Sequence, residues 1–212
     1  MPIRAIFLDF YGTLVHEDDP IVSAICSEIA ALTDDFDHKA VGALWSEHFT
    51  SLYKSAEGDT FSTQRELESL SLDRVAKHLN VQLRADIDAE LFEYWKQPRG
   101  FEDAKPFLAS LPEQIKTCVV SNIDTSDLGA AIQHHEFAFD FAVTSESARC
   151  YKPNAAIFQQ ALELMDADTS EVLHIGDSLS SDIAGAGALG IKTTWLNRGR
   201  KPLREGYSPD YR

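Results

Sequence analysis

Residues 3–14 read IRAIFLDFYGTL, an apolar run that stops at Asp9 and then turns through Gly12 and Thr13. A short and almost uniformly apolar run is typical of a strand that is buried on both faces of a parallel sheet. Open α/β sheets keep their ligand sites at the carboxyl ends of such strands. The stretch therefore predicts a buried strand that delivers the carboxylate of Asp9 to the functional edge of a sheet.

Three later apolar runs, at residues 118–120, 141–144 and 172–175, also lead to polar residues. The polar residues that follow them are, in chain order, Ser121, Asn122, Lys152, Asp177 and Asp182. Because the carboxyl ends of parallel strands meet at one edge of a sheet, we expect these side chains to gather around Asp9.

The rest of the chain falls into two regions with different periodicities. From residue 101 onward, short apolar strands alternate with helices, which predicts a Rossmann-like, doubly wound parallel sheet of the α/β class. Residues 17–99 contain no convincing strand and have helical spacing of apolar residues. We therefore predict a core of residues 1–16 plus 100–212, with residues 17–99 inserted as an α-helical cap domain over the catalytic edge.

Four helices are predicted in the inserted region. Their expected bounds are Ile21–Leu32, Lys39–Tyr53, Gln64–Leu79 and Ala85–Lys96. Asp37 and Ser62 are the expected N-caps of the second and third of these helices.

Composition narrows the partners and the compartment. The chain has 212 residues and a formal net charge of −15, which argues against nucleic acid or an anionic membrane as a partner. Its three cysteines form no C-x-x-C pair, no apolar stretch reaches the length of a membrane span, and the N-terminus lacks a signal-peptide pattern. These features predict a soluble, cytoplasmic protein, and they leave the oligomeric state open.

The three acids Asp9, Asp177 and Asp182 predict a cation at the sheet edge. Two carboxylates about 4 Å apart repel each other by on the order of 4 kcal/mol at an effective dielectric constant near 20. Such a cluster needs a counter-ion or shared protons, and carboxylate oxygens are the ligands that Mg²⁺ prefers. Mg²⁺ is therefore the predicted cofactor.

Asp9, Ser121, Lys152, Asp177 and Asp182, taken in this order, resemble the four motifs of the haloacid dehalogenase superfamily of hydrolases. The resemblance covers nearly the whole chain, and the helical insertion after the first motif is similar to the cap of its small-molecule members. It implies a phosphatase that hydrolyses small phosphorylated metabolites with the help of Mg²⁺.

In this interpretation Asp9 is the nucleophile and forms an aspartyl-phosphate that water later cleaves. The metal would be held by Asp9, the backbone carbonyl of Tyr11 and Asp177, with Asp182 in an indirect role. The residues expected to bind the phosphate are Gly12 and Asn122 through backbone N–H groups, Thr13 and Ser121 through hydroxyls, and Lys152 through its charge.

Tyr11 departs from the family pattern. Most phosphatases of the superfamily carry a second aspartate at this position, two residues after the nucleophile, where it protonates the leaving alcohol. Tyr11 is then the catalytic candidate for that proton transfer, although a phenol is a poor base at neutral pH. The departure predicts slow hydrolysis of alkyl phosphates and faster hydrolysis of esters with good leaving groups, unless another group such as His16 replaces the aspartate.

Three alternatives stay open. Tyrosine at this position also occurs in the 2-haloacid dehalogenases, which form an ester on the nucleophilic aspartate without a metal. Their fourth motif resembles S-x-N rather than Gly176-Asp177, and their cap arginine has no counterpart in residues 37–45, where Lys39 is the basic residue; Arg65 reaches the site only if the cap folds differently. A phosphonate hydrolase would use a cap lysine, for which Lys54 is the candidate, and an inactive binding module is the third alternative.

Overall fold

The computed structural model describes residues 2–212, in which five parallel strands form one sheet of order β3-β2-β1-β4-β5. The strands are β1 (Ala5–Leu8), β2 (Lys116–Ser121), β3 (Phe141–Thr144), β4 (Val172–Gly176) and β5 (Lys192–Trp195). Helices cover the sheet, so the predicted doubly wound, Rossmann-like α/β fold is confirmed.

Helices occupy most of the remaining chain. Between β1 and β2 lie α1 (Asp19–Ala30), α2 (His38–Tyr53), α3 (Gln64–Leu79), α4 (Ala89–Lys96) and α5 (Ala104–Ser110). The later helices are α6 (Thr125–His135), α7 (Ser145–Ala148), α8 (Ala155–Met165) and α9 (Ala184–Ala188), the last preceded by a π-helical turn at Leu179–Ile183.

One of the two predicted N-caps is correct and the other is wrong. The Asp37 side chain caps α2 by accepting a hydrogen bond from the Ala40 amide at 2.8 Å. Helix α3 is capped by Thr63 and not by Ser62, because Thr63 and Glu66 have the three-residue spacing of a reciprocal capping box.

The strand order places the end of β1 at the centre of the catalytic edge. Strand β1 pairs with β2 on one side and with β4 on the other, and Phe7 and Leu8 are fully buried. Asp9 therefore follows a strand whose two neighbours end at Ser121 and Gly176. This is why residues from distant parts of the sequence meet at one edge.

The cap segment, which we define as residues 17–99, is fastened to the core through helix α6. The carboxylate of Asp124 accepts hydrogen bonds from the Gln64 and Arg65 amides at 2.7 and 3.2 Å. The Arg65 guanidinium also pairs with both oxygens of Asp127, whose side chain is 1% exposed. Four helices of this segment thus pack as a layer on the core, while its status as a separate domain stays a prediction.

The remaining features of the chain are simple. The three cysteines are free and buried. The C-terminal tail makes a parallel bridge from Tyr211 to Thr194 beside β5. Over residues 2–212, no helix combines the length and apolar character that crossing a membrane requires.

Candidate active site

Three carboxylates meet at the carboxyl edge of the sheet. Asp9 follows β1, Asp177 follows β4, and Asp182 lies in the π-helical turn that comes next. Each contributes an oxygen, and these oxygens all lie within 4.8 Å of one another. The structure thus brings together the three acids that the sequence singled out, in a spacing that a single cation can bridge.

Lys152 neutralises two of the three acids. Its ammonium donates hydrogen bonds to Asp9 Oδ1 and to Asp182 Oδ1, both at 2.7 Å, and its side chain is 2% exposed. Burial by itself lowers the pKa of Lys152, but the two carboxylates outweigh it and hold that pKa above its ordinary value. Lys152 is therefore a fixed positive charge at the site.

Both side-chain oxygens of Asp182 accept hydrogen bonds from protein groups. Its Oδ1 also accepts a hydrogen bond from His174 Nε2 at 3.1 Å, and its Oδ2 accepts one from the Ser178 amide at 2.9 Å. Burial raises the pKa of Asp182, but Lys152 and His174 outweigh it and hold that pKa well below the usual range. Asp182 thus orients Lys152, and His174 is a buried partner of Asp182 rather than only a packed residue.

Asp177 differs from the other two acids because its carboxylate is open, that is, not bound by groups of the protein. No described residue donates a hydrogen bond to its side-chain oxygens, and Lys152 does not pair with it. Burial, then the charges of Asp9 and Asp182, raise the pKa of Asp177 to about 8. Gly12 makes room for this carboxylate, since a Cβ there would lie 2.7 Å from it.

The turn after β1 orients the Asp9 carboxylate. The Thr13 hydroxyl donates a hydrogen bond to Asp9 Oδ2 at 3.0 Å. The predicted phosphate contact from the Gly12 amide is wrong, because that N–H donates to the Val15 carbonyl at 2.7 Å and closes the turn. Gly12 instead supplies the backbone, with φ at +85°, that this turn requires.

Ser121 and Asn122 lie at the end of β2, where prediction placed them. Ser121 is 1% exposed, and the Asn122 amide makes no backbone hydrogen bond among the described residues. The side chain of Asn122 holds the backbone of Lys152, accepting from its N–H at 2.7 Å and donating to its carbonyl at 3.2 Å. The asparagine therefore fixes the lysine through main-chain contacts.

Tyr53, at the end of α2, contacts the two residues that follow β2 and β3, Asn122 and Lys152. Its hydroxyl donates to the Lys152 carbonyl and accepts a hydrogen bond from Asn122 Nδ2 at 3.0 Å. Its ring packs on Tyr151 with centroids 4.7 Å apart. A cap residue thus supports the loop that carries the active-site lysine.

The Tyr11 hydroxyl does not match the predicted proton donor. It donates to the Trp95 carbonyl at 2.6 Å, so its proton is held in a hydrogen bond to the backbone. Burial, then the negative charges of Asp127 and Asp18, hold the pKa of Tyr11 far above its ordinary value. The backbone carbonyl of Tyr11, by contrast, accepts no hydrogen bond from any described residue.

The other candidates, Lys39, Lys54, Arg65 and His16, form no ion pair with the three carboxylates. Lys39 and Lys54 are exposed, and Arg65 is held by Asp127. His16 stacks on Phe101 with ring centroids 3.9 Å apart. Slight burial, then the charges of Arg99 and Arg198, lower the pKa of His16, which leaves it neutral at pH 7.

A cavity of about 480 Å³ opens beside the open acid Asp177. It lies between the ends of the cap segment and the loop after β5. Its polar and charged lining includes His16, Glu17, Asp19, Tyr94, Arg99 and Lys201. Gly12 and Asp177 bring this cavity to the edge of the carboxylate cluster.

A family model for haloacid dehalogenase-like hydrolases matches residues 3–190. The chain is 24% identical to (S)-2-haloacid dehalogenase 1 of Pseudomonas sp. (strain CBS-3), over 98% of this chain and 90% of that protein. It is 28% identical to the ribulose-1,5-bisphosphate 5-phosphatase of Halopiger xanaduensis (strain DSM 18323 / JCM 14033 / SH-6), over 75% of this chain and 69% of that protein.

The fold has close counterparts among solved structures. The L-2-haloacid dehalogenase RSc1362 superposes with a TM-score of 0.80, covering 99% of this chain and 93% of that one at 22% identity. At this identity the likeness establishes the fold, and it extends over the cap segment as well as the core.

Proposed function

The chain belongs to the haloacid dehalogenase-like hydrolases, and from this premise we propose that it hydrolyses small phosphorylated metabolites in a Mg²⁺-dependent reaction. Asp177 carries the proposal. It is a third carboxylate beside Asp9, it comes from a Gly-Asp motif, and it forms no ion pair with Lys152, whose ammonium pairs with Asp9 and Asp182. A hydrolase that worked without a metal would gain nothing from an additional unpaired acid in contact range of its nucleophile.

The residues present fit a magnesium ion. Asp9, Asp177 and the Tyr11 carbonyl would hold it through oxygen atoms, and Asp182 would act indirectly by fixing Lys152. When bound, Mg²⁺ supplies positive charge that lowers the repulsion between an anionic nucleophile and an anionic phosphoryl group.

In the proposed reaction an Asp9 oxygen attacks phosphorus, and the alcohol leaves from the opposite side. Thr13 holds one carboxylate oxygen of Asp9 in place, and Lys152 neutralises charge that builds up on the phosphoryl oxygens. The Ser121 hydroxyl and the Asn122 amide supply further donors at the end of β2. Water then cleaves the aspartyl-phosphate and restores Asp9.

A metal-free 2-haloacid dehalogenase is the second candidate. The full-length likeness to (S)-2-haloacid dehalogenase 1 and the tyrosine at position 11 favour it. Asp177 argues against it, as does the cap segment, where Lys39 is exposed and Arg65 is bound to Asp127 instead of being free to bind a substrate carboxylate. Lys54 is exposed as well, which removes the support for a phosphonate hydrolase.

Two assays on one preparation separate these functions. We expect p-nitrophenyl phosphate to be hydrolysed with Mg²⁺ and the rate to fall about 10²-fold or more in excess EDTA, since the metal contributes several kcal/mol. Chloride release from (S)-2-chloropropionate in EDTA, without phosphatase activity, would instead establish the dehalogenase. The absence of both reactions would indicate a binding module.

A further inference from the structure

The proposed phosphatase lacks a proton donor at the usual position. An alkoxide leaving group needs a proton as its bond to phosphorus breaks, and a positioned acid is worth about 10²–10⁴ in rate. Tyr11 stands where the acid is expected, but its hydroxyl proton is bound to the Trp95 carbonyl. The acid must therefore come from another part of the chain that reaches the same edge.

The cavity beside Asp177 limits the choice. Besides Asp177, which would hold the metal, the lining includes four other side chains that can carry a proton, namely His16, Glu17, Asp19 and Tyr94. The Tyr94 hydroxyl is bound to the carbonyls of His16 and Glu17, at 3.3 and 3.0 Å. The His16 ring packs on Phe101, and burial, then the charges of Arg99 and Arg198, lower the pKa of His16.

Glu17 interacts electrostatically with the catalytic carboxylates. Glu17 lines the same cavity as Asp177. The charge of Glu17 raises the pKa of Asp177, and the charge of Asp9 raises the pKa of Glu17. No described residue hydrogen-bonds to its side chain, and it keeps contact with solvent at the cavity mouth. A group that exchanges protons with water and with a leaving alcohol needs this freedom.

We propose that Glu17 is the general acid and base of the reaction, in place of the aspartate that Tyr11 replaces. The assignment rests on the proposed phosphatase function. In the first step Asp9 bonds to phosphorus, the bond to the leaving oxygen breaks, and the Glu17 proton goes to that oxygen to give the free alcohol. In the second step water attacks phosphorus and gives a proton to the Glu17 carboxylate, and the bond to Asp9 breaks to release phosphate.

The charges around Glu17 favour this role. Partial burial raises the pKa of Glu17, and the nearby carboxylates of Asp19, Asp18 and Asp9 raise it further, whereas Lys201 opposes them. Asp177 also faces it from the end of β4. A carboxyl with a raised pKa keeps more of its protonated form near neutral pH than an ordinary glutamate does.

The test compares Glu17→Gln with the wild type on esters that differ in leaving group. With Mg²⁺ present, we expect kcat for phenyl phosphate to fall by about 10²–10⁴-fold, and kcat for p-nitrophenyl phosphate to fall by less than about tenfold. The wild-type rate on phenyl phosphate should decline as pH rises through the Glu17 pKa, and this decline should vanish in Glu17→Gln.

Glu47→Gln is the matched control, since it makes the same change at an exposed residue of α2 in the cap segment. It should keep both activities, and Glu17→Asp should recover part of the phenyl phosphate rate. Equal losses on both esters in Glu17→Gln, or no loss on either, would overturn the assignment. Failure of the proposed function itself looks different, because the wild type would then show no Mg²⁺-dependent hydrolysis of p-nitrophenyl phosphate.

Discussion

Asp9→Asn is expected to lower kcat for Mg²⁺-dependent phosphate release by about 10⁴-fold or more, because the amide cannot form the acyl-phosphate bond. The chain should remain folded. In the wild type, Lys152 and Thr13 donate hydrogen bonds to Asp9. Asparagine has the shape of aspartate, and its side-chain oxygen can still accept one of these bonds. Phosphate release measured alongside circular dichroism and thermal unfolding separates loss of chemistry from loss of structure.

A matched Asp→Asn change at Asp35, an exposed residue of the cap segment, serves as the control and should leave the rate unchanged. If Asp9→Asn kept a tenth of the wild-type rate, Asp9 would no longer be the nucleophile.

Lys152→Met is expected to have the largest effect on stability. The change removes the ammonium from Asp9 and Asp182 and leaves two buried carboxylates without a counter-charge. Breaking a buried ion pair in this way costs about 3–5 kcal/mol of unfolding free energy at pH 7. Phosphate release should be lost as well, since the same ammonium faces the transferring group.

The pH dependence of this loss has a definite sign. In the wild type the pKa of Asp182 lies below its unfolded value, so its pairing stabilises the fold at neutral pH and fades as pH falls through that low pKa. In Lys152→Met the pKa of Asp9, which burial already holds above its ordinary value, rises further, and the pKa of Asp182 rises as well because both lose the charge of Lys152. Proton uptake by the folded variant then makes the deficit smaller at pH 5 than at pH 7.

Urea unfolding at pH 7 and pH 5 measures both quantities. Lys105→Met is the control, because Lys105 pairs with Glu136 at the surface and such pairs contribute at most about 1 kcal/mol. A deficit that is absent at pH 7, or that grows toward pH 5, would contradict the account of Lys152.

The sequence predicted the core well because the signal is local there. An apolar run that ends in Asp9 predicts both a buried strand and the position of its carboxylate, and parallel pairing then determines which other strand ends meet it. Asp177, Asp182 and Lys152 could be found in this way, because each follows a strand of the same sheet or opens the next helix.

The parts that escaped prediction depend on tertiary contacts. The direction in which residues 15–20 leave the sheet follows from how the cap segment docks on Asp124 and Asp127, and no local pattern encodes it. The local sequence around Glu17 and Tyr53 therefore carries no signal that marks either residue as part of the site. The hydrogen bond from the Gly12 amide to the Val15 carbonyl could not be predicted for a related reason, because it depends on how the turn after β1 closes.

A crystal structure determined with Mg²⁺ and beryllium fluoride, which mimics a phosphoryl group on a carboxylate, tests the central claim most directly. The account predicts beryllium bonded to a carboxylate oxygen of Asp9, Mg²⁺ on Asp9, Asp177 and the Tyr11 carbonyl, and Lys152 still bound to Asp182. An unmodified Asp9 with no ion at Asp177, under conditions in which both reagents are in excess, would contradict it.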